Sequence, residues 1–138
     1  MFSSVDNHQL LVGAGIALAI AAVLAAHIAT RNKARRVVRG RSPLSPAEFS
    51  ALFATEAEAA LAPAIRDRLR AYIAVDPALV YPDDKLCAEL RLAVLDGLDA
   101  NAFVAEVEKA AGTKIPDPDA QRMATLRDIV SYVAAHKR

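Results

Sequence analysis

The residues of this chain that could do chemistry are few and scattered. The three histidines, His8, His27 and His136, fall in separate regions, and the single cysteine, Cys87, has no histidine near it in the sequence. The sequence shows no metal-ligand spacing, no glycine-rich phosphate loop and no nucleophile beside a base. We therefore expect no enzymatic activity and no metal site, and we interpret Cys87 as a small buried hydrophobic residue.

One segment, Asp96-Gly97-Leu98-Asp99, has the pattern of a helix start. Acidic residues there suit the positive end of a helix dipole. The apolar residues that follow recur at the spacing of one buried helix face. They are Ala100, Phe103, Val104, Val107 and Ala111. Because Gly112 follows, and glycine commonly ends a helix, the pattern predicts a helix over residues 100–111.

The rest of the carboxyl-terminal region predicts more helices. Thr125 and Asp128 have the spacing of a capping box for a last helix. The predicted buried residues of that helix are Leu126, Ile129, Val130 and Val133. The composition agrees, because 54% hydrophobic content with only 5% aromatic residues reflects many alanines, which favour helices over strands. We predict an all-α fold.

A connecting helix is predicted before these elements. Ser45-Pro46-Ala47-Glu48 has the pattern of a capping box with proline at the first helical position. An amphipathic helix should then run over residues 46–61, and Pro63 should separate it from a helix over residues 64–75. Its apolar face, which includes Phe49, Leu52 and Phe53, should pack on the bundle or on a partner. In the next helix Arg66 is predicted to point outward.

The amino-terminal third has the pattern of a membrane anchor. Residues 1–9 form a short polar segment, and residues 10–28 contain no formally charged side chain. Nineteen helical residues extend about 28 Å, close to the hydrocarbon thickness of a bilayer. We predict a single transmembrane helix over residues 10–28. A buried helix of a soluble protein remains an alternative, because nine of those residues are alanine or glycine.

A basic linker, residues 29–45, is predicted to follow the span. Its charged residues are Arg31, Lys33, Arg35, Arg36, Arg39 and Arg41. Positive charge marks the cytoplasmic side, so we expect the amino terminus outside and the remaining chain in the cytoplasm. We also expect these residues to contact anionic lipid headgroups. A short basic segment beside an acidic domain is not the pattern of a nucleic-acid-binding protein.

The order of these motifs resembles the acyl carrier protein family. In that family an Asp-Ser-Leu triplet opens the second helix, an Ile-Pro-Asp segment follows, and a Thr-capped helix closes a four-helix bundle. Residues 96–98, residues 115–117 and Thr125 match that order. The resemblance implies an acyl-carrier-protein-like four-helix bundle over residues 62–138.

The resemblance fails at one chemically decisive residue. In the family, the serine of the triplet carries the phosphopantetheine arm, whereas Gly97 stands at that place here. Glycine has no hydroxyl, so no phosphodiester can form there, and no serine occurs between Ser50 and Ser131. About two or three extra residues also precede Asp96. The resemblance therefore implies a degenerate carrier without its cofactor.

Three functions follow as hypotheses. The first is a membrane-anchored, non-acylated interaction module, an accessory or recruiting subunit of a membrane-associated complex. Its protein partner should bind around Asp96, Gly97, Asp99 and Glu106, near further acids at Asp83, Asp84 and Glu89. The second is a working acyl carrier in a lipid or acyl-transfer pathway. The third is a structural membrane subunit that acts through its span and through the face of Phe49, Leu52 and Phe53.

Overall fold

The computed structural model describes residues 3–92 and 98–137, and the side chains of residues 3–6, 98 and 99 are not described. The α-helices in these ranges are α1 (Ser3–Val37), α2 (Pro46–Ser50), α3 (Glu56–Arg68), α4 (Leu98–Ala111), α5 (Asp117–Arg122) and α6 (Leu126–His136). Two short 3-10 helices lie at Leu69–Ala71 and Pro77–Leu79. No strand occurs in the described ranges, so the predicted all-α fold is confirmed.

The first helix, α1, has 35 residues and is about 52 Å long at 1.5 Å per residue. It contains the predicted span, whose large apolar side chains are exposed. Among the described residues, α1 is long and apolar enough to cross a membrane. The prediction of a linker from residue 29 is wrong, because the helix continues to Val37. Arginine, lysine and alanine are good helix formers, so the basic segment prolongs the helix.

The end of α1 is part of the folded body. Ala34 and Val38 are buried in the main hydrophobic core, at 1% and 5% exposure. Gly40 then has φ +78°, a left-handed conformation that glycine adopts without strain. The chain changes direction there, just after the end of the helix. The core therefore begins well before the predicted start of the bundle at residue 62.

The prediction of one helix over residues 46–61 is wrong in its extent. The capping box at Ser45 is present, but α2 ends at Ser50 after five residues. Thr55 is extended, and its hydroxyl accepts a hydrogen bond from the Glu58 amide at 3.2 Å, so a new helix begins at Glu56. A second amino-terminal cap thus divides the predicted helix.

Pro63 lies inside α3 and does not separate two helices as predicted. Proline has no N–H to donate to the carbonyl four residues earlier, which here belongs to Ala59. The hydroxyl of Ser50 donates to that carbonyl oxygen at 2.9 Å. Because α2 supplies the missing donor, the proline is tolerated, and α3 continues to Arg68.

The core lies where α3 packs against α2, α4 and α6. The residues predicted to be buried in α6 are all buried, and Phe103 and Val107 of α4 are at 1% and 0% exposure. Arg66 was predicted to point outward, and this is wrong, because it is 6% exposed. Its guanidinium lies 4.4 Å from the ring centroid of Phe49 and donates to the Leu44 carbonyl at 3.0 Å. Burial lowers the pKa of Arg66.

Candidate functional site

The predicted partner surface is at the start of α4, which two buried residues hold against the core. Phe103 and Val107 fix the rotation of the helix, and Gly112, with φ +65°, ends it as predicted. Asp96 and Gly97 lie outside the described residues. Asp99 lies in the first turn of α4, and its side chain is also outside the description. The partner surface therefore stays a prediction.

The helical period nevertheless brings two of the predicted acids to one face. Asp99 and Glu106 are seven residues apart on α4, which is nearly two full turns, so both positions share a face. Glu106 is half-buried. On the opposite edge of α4, Glu108 forms an ion pair with Lys114 at 3.8 Å. The Asp99 and Glu106 positions therefore lie on the side of α4 that is opposite to Glu108.

A groove of about 420 Å³ lies beside α4, between that helix, α5, α6 and the chain before α4. Its apolar wall includes Leu86, Leu92, Phe103, Met123 and Ile129. Polar side chains, Asn101 and Gln121 among them, also line it. Cys87 lies in the lining as well and is exposed, so the prediction that it is buried is wrong.

The chain that leads to the predicted site forms a compact turn over residues 85–92. The amide of Leu90 donates to the Lys85 carbonyl at 3.0 Å, and the amide of Leu92 donates to the Leu86 carbonyl at 2.9 Å. The three leucines are buried at 1–3% exposure and anchor the turn to the core. Arg91 has φ +61°, a conformation that is uncommon for residues other than glycine. Only the end of this turn overlaps the segment between Leu90 and Asp96, to which the resemblance assigns the extra residues.

Two acids that were predicted to extend the partner surface form internal ion pairs instead. Asp84 is 6% exposed and accepts hydrogen bonds from both terminal nitrogens of Arg41, one of them at 2.9 Å. It also accepts from the Tyr81 amide at 2.8 Å. Asp83 accepts from Arg127 Nε at 2.7 Å. Each carboxylate therefore has an arginine counter-ion within the chain, but Asp84 is buried, whereas the Asp83 side chain is 73% exposed.

The two pairs shift the pKa values of both arginines and of Asp83 in the expected directions. The hydrogen bond from Arg127 lowers the pKa of Asp83, and the same bond raises the pKa of Arg127. The hydrogen bond to Asp84 likewise raises the pKa of Arg41. Each arginine also lies over an aromatic ring, at 4.4 Å from the Tyr81 centroid for Arg41 and 5.2 Å from the Phe53 centroid for Arg127. The Asp83-Asp84 loop is therefore bound to two distant parts of the chain, at Arg41 and at Arg127.

Comparison with known proteins adds the deciding observation. The chain is 32% identical over 65 residues to an acyl carrier protein of Rubrobacter xylanophilus, a match that covers 47% of this chain and 76% of the relative. It is 32% identical over 79 residues to an acyl carrier protein of Syntrophobacter fumaroxidans, covering 57% of this chain and 94% of the relative. The chain belongs to the acyl carrier protein family. No family model matches it.

Membership in the acyl carrier protein family assigns a role to the described bundle. The helices after α1 form an acyl-carrier-like module, and the relatives are carriers rather than enzymes. Within this family Gly97 stands at the position that the resemblance gives to the modified serine. By that resemblance, the module has a carrier's helices and a glycine, which has no hydroxyl, at the position of the modified serine.

The alternative partner face of Phe49, Leu52 and Phe53 is largely internal to the module. Phe49 is 0% exposed and Phe53 is 8% exposed, and their rings meet edge to face at 5.3 Å. Both phenylalanines fill the core, so they pack on the bundle, which is the first of the two predicted alternatives, and are not exposed to a partner. Only Leu52, at 45% exposure, presents apolar surface there, and its carbonyl accepts from Arg127 at 3.0 Å.

The basic residues divide into two groups. Arg31, Lys33, Arg35, Arg36 and Arg39 are exposed, and none has an ion-pair partner in the described part of the chain. Arg41, the sixth residue of the predicted basic group, differs from the others because it forms an ion pair with Asp84. Sequence reasoning missed both arginine–aspartate pairs. The partners lie 43 and 44 residues apart, and no local pattern connects them.

Proposed function

We propose that this protein is a membrane-anchored, non-acylated carrier-like module that binds a protein partner, as an accessory or recruiting subunit of a membrane-associated complex. The observation that carries the proposal is Gly97 at the modified position of a chain in the acyl carrier protein family. Without a hydroxyl, the module keeps a carrier's surface for recognition and has no group to load. It is not an enzyme.

The membrane anchor is supported by α1. Its apolar part is exposed along its length, and exposed apolar surface of this extent needs a membrane or another protein around it. The basic residues follow the span and none precedes it, which supports a single pass with the amino terminus outside. Because Ala34 and Val38 belong to the core, the anchor is joined to the module by packing.

The absence of modification is directly testable. When the full chain is produced together with a broad-specificity phosphopantetheinyl transferase, we expect its intact mass to match the unmodified sequence. An authentic carrier in the same cells, as the control, should gain the mass of the arm. A matching mass gain on this chain would favour the working acyl carrier, the alternative that family membership supports.

The partner surface predicts a loss of binding on charge reversal. Asp96→Lys with Asp99→Lys should strongly reduce co-purification of a partner from detergent, because charge complementarity speeds association, and the effect should weaken as salt rises. The module should remain folded. The matched control, Glu56→Lys with Asp67→Lys on α3, makes the same change in net charge at exposed positions.

Two outcomes would contradict this placement of the partner. Equal loss in the control pair would show that total charge, and not the start of α4, controls binding. Normal binding by the α4 pair, together with loss on Leu52→Asp, would move the partner to the region of α2. The structural-subunit hypothesis would then replace the carrier-like one.

A further inference from the structure

A cleft of about 420 Å³ lies where the end of α1 meets the folded body. One wall comes from the last turn of α1 and the residues that follow it, with Arg35, Val38 and Arg39. The other wall is formed by residues 74–76 and Leu79. The cleft is separate from the groove beside α4, because the two share no lining residue.

The charge in this cleft is positive and available. Arg35 and Arg39 are exposed, and the described residues offer neither of them an ion-pair partner. Arg41 also lines the cleft, but its guanidinium is committed to Asp84. The one acid in the lining, Asp76, accepts a hydrogen bond from the Ala78 amide at 2.9 Å. The lining thus contains two arginines without an ion-pair partner among the described residues and one carboxylate that already accepts a hydrogen bond.

The backbone that carries these arginines is fixed. Val38, between them, is 5% exposed in the core, and the Arg41 amide donates to its carbonyl at 3.2 Å. Arg41 also donates to the Leu79 carbonyl at 3.2 Å, which joins the two walls. Guanidinium groups hold phosphate oxygens in a forked, bidentate geometry, and a fixed backbone reduces the entropy lost on binding.

The position of Arg35 relative to the span favours a ligand in the headgroup layer. Arg35 follows Ile28 by seven residues, about 10 Å along the helix axis. Helical side chains tilt toward the amino terminus, which here is toward the span. The headgroup layer on each side of a bilayer is about 5–8 Å thick, so the extended guanidinium reaches it.

We propose that Arg35 and Arg39 form a binding site for a phosphate group, supplied by an anionic lipid headgroup next to the span. The site orients the module on the membrane surface, because the cleft includes both the anchor and the folded body. Free phosphate has the same chemistry, and the experiment separates the two sources. The lipid source depends on the proposed membrane anchor, whereas phosphate binding in detergent does not.

The test uses the full chain in uncharged detergent micelles, with phosphorus NMR and arginine side-chain NMR as readouts. The probes are phosphatidic acid, inorganic phosphate, and diacylglycerol with the same acyl chains as the lipid without phosphate. We expect phosphatidic acid to bind and diacylglycerol not to bind. Binding of inorganic phosphate as tightly as the lipid would keep the site and assign it to a soluble source. Binding of neither phosphate compound would overturn the proposal.

Two double variants distinguish a specific phosphate site from nonspecific electrostatic attraction. Arg35→Gln with Arg39→Gln should bind phosphatidic acid about tenfold more weakly than Lys33→Gln with Arg36→Gln, which removes the same charge from exposed positions outside the cleft. Equal losses in the two pairs would show that the basic segment acts only as a delocalised charge. Insertion of the unchanged chain into vesicles tests the anchor separately.

Discussion

Replacing Val107 with aspartate should unfold the helical body of the protein. Val107 is 0% exposed on α4, in the core that α3 and α6 complete. The substitution places a carboxylate where water cannot reach it and the core offers only apolar side chains. Burying an unpaired charge is one of the few single changes that cost more than about 4 kcal/mol, a large part of the stability of a small domain.

Amide hydrogen exchange along α6 is the appropriate measurement, because α1 can stay helical in detergent after the body has unfolded. We expect the amides of Leu126–His136 to lose protection in Val107→Asp. The control is Ala105→Asp, on the exposed side of the same helix, where a surface change should alter stability by no more than about 0.5 kcal/mol. Wild-type protection in Val107→Asp would show that α4 does not pack as described.

The elements whose identity follows from local pattern were predicted well. In α6 a capping box starts the helix, with Thr125 Oγ1 accepting from the Asp128 amide at 3.2 Å, and the apolar period selects the buried face. In α4 the same period identified Phe103 and Val107, and Gly112 marked the end. Both helices extend over about three turns or more, so the repeated apolar residues clearly define one buried face in the sequence.

The errors occurred where a distant part of the chain decides the local structure. Pro63 looked like a helix boundary because its missing donor is visible in the sequence, while the replacing hydroxyl of Ser50 is thirteen residues away. Arg66 looked exposed because it is charged, but the Leu44 carbonyl and the Phe49 ring satisfy it in the core. Neither partner lies at a helical spacing from the residue it stabilises.

The basic segment illustrates the same limit for function. The sequence alone predicts a basic segment after the apolar run, and its six basic residues look equivalent as contacts for a ligand. Packing makes them different, because the buried side of Ala34 and Val38 rotates Arg35 and Arg39 toward the cleft and brings Arg41 to Asp84. Which arginines remain available to a ligand is therefore a property of the fold.

Asp84→Ala should lower the free energy of unfolding by about 3 kcal/mol, since it removes a buried acceptor from three donors. Those donors are the two terminal nitrogens of Arg41 and the amide of Tyr81. The Asp84 side chain is 7% exposed and that of Arg41 is 21% exposed, so water replaces the lost hydrogen bonds poorly. Denaturant unfolding of the full chain in detergent, followed by exchange along α6, measures the loss.

The adjacent residue provides a matched control. Asp83 also pairs with an arginine, but its side chain is 73% exposed, so Asp83→Ala should cost no more than about 0.5 kcal/mol. Because Arg127 holds the pKa of Asp83 below its ordinary value, that small contribution is present at neutral pH and is lost as the pH falls through the folded-state value. Asp84→Asn, which keeps an acceptor for the Tyr81 amide, should recover part of the loss. Equal destabilisation by the two alanine variants would mean that burial does not distinguish the two pairs, and that the Arg41–Asp84 pair behaves as a surface contact.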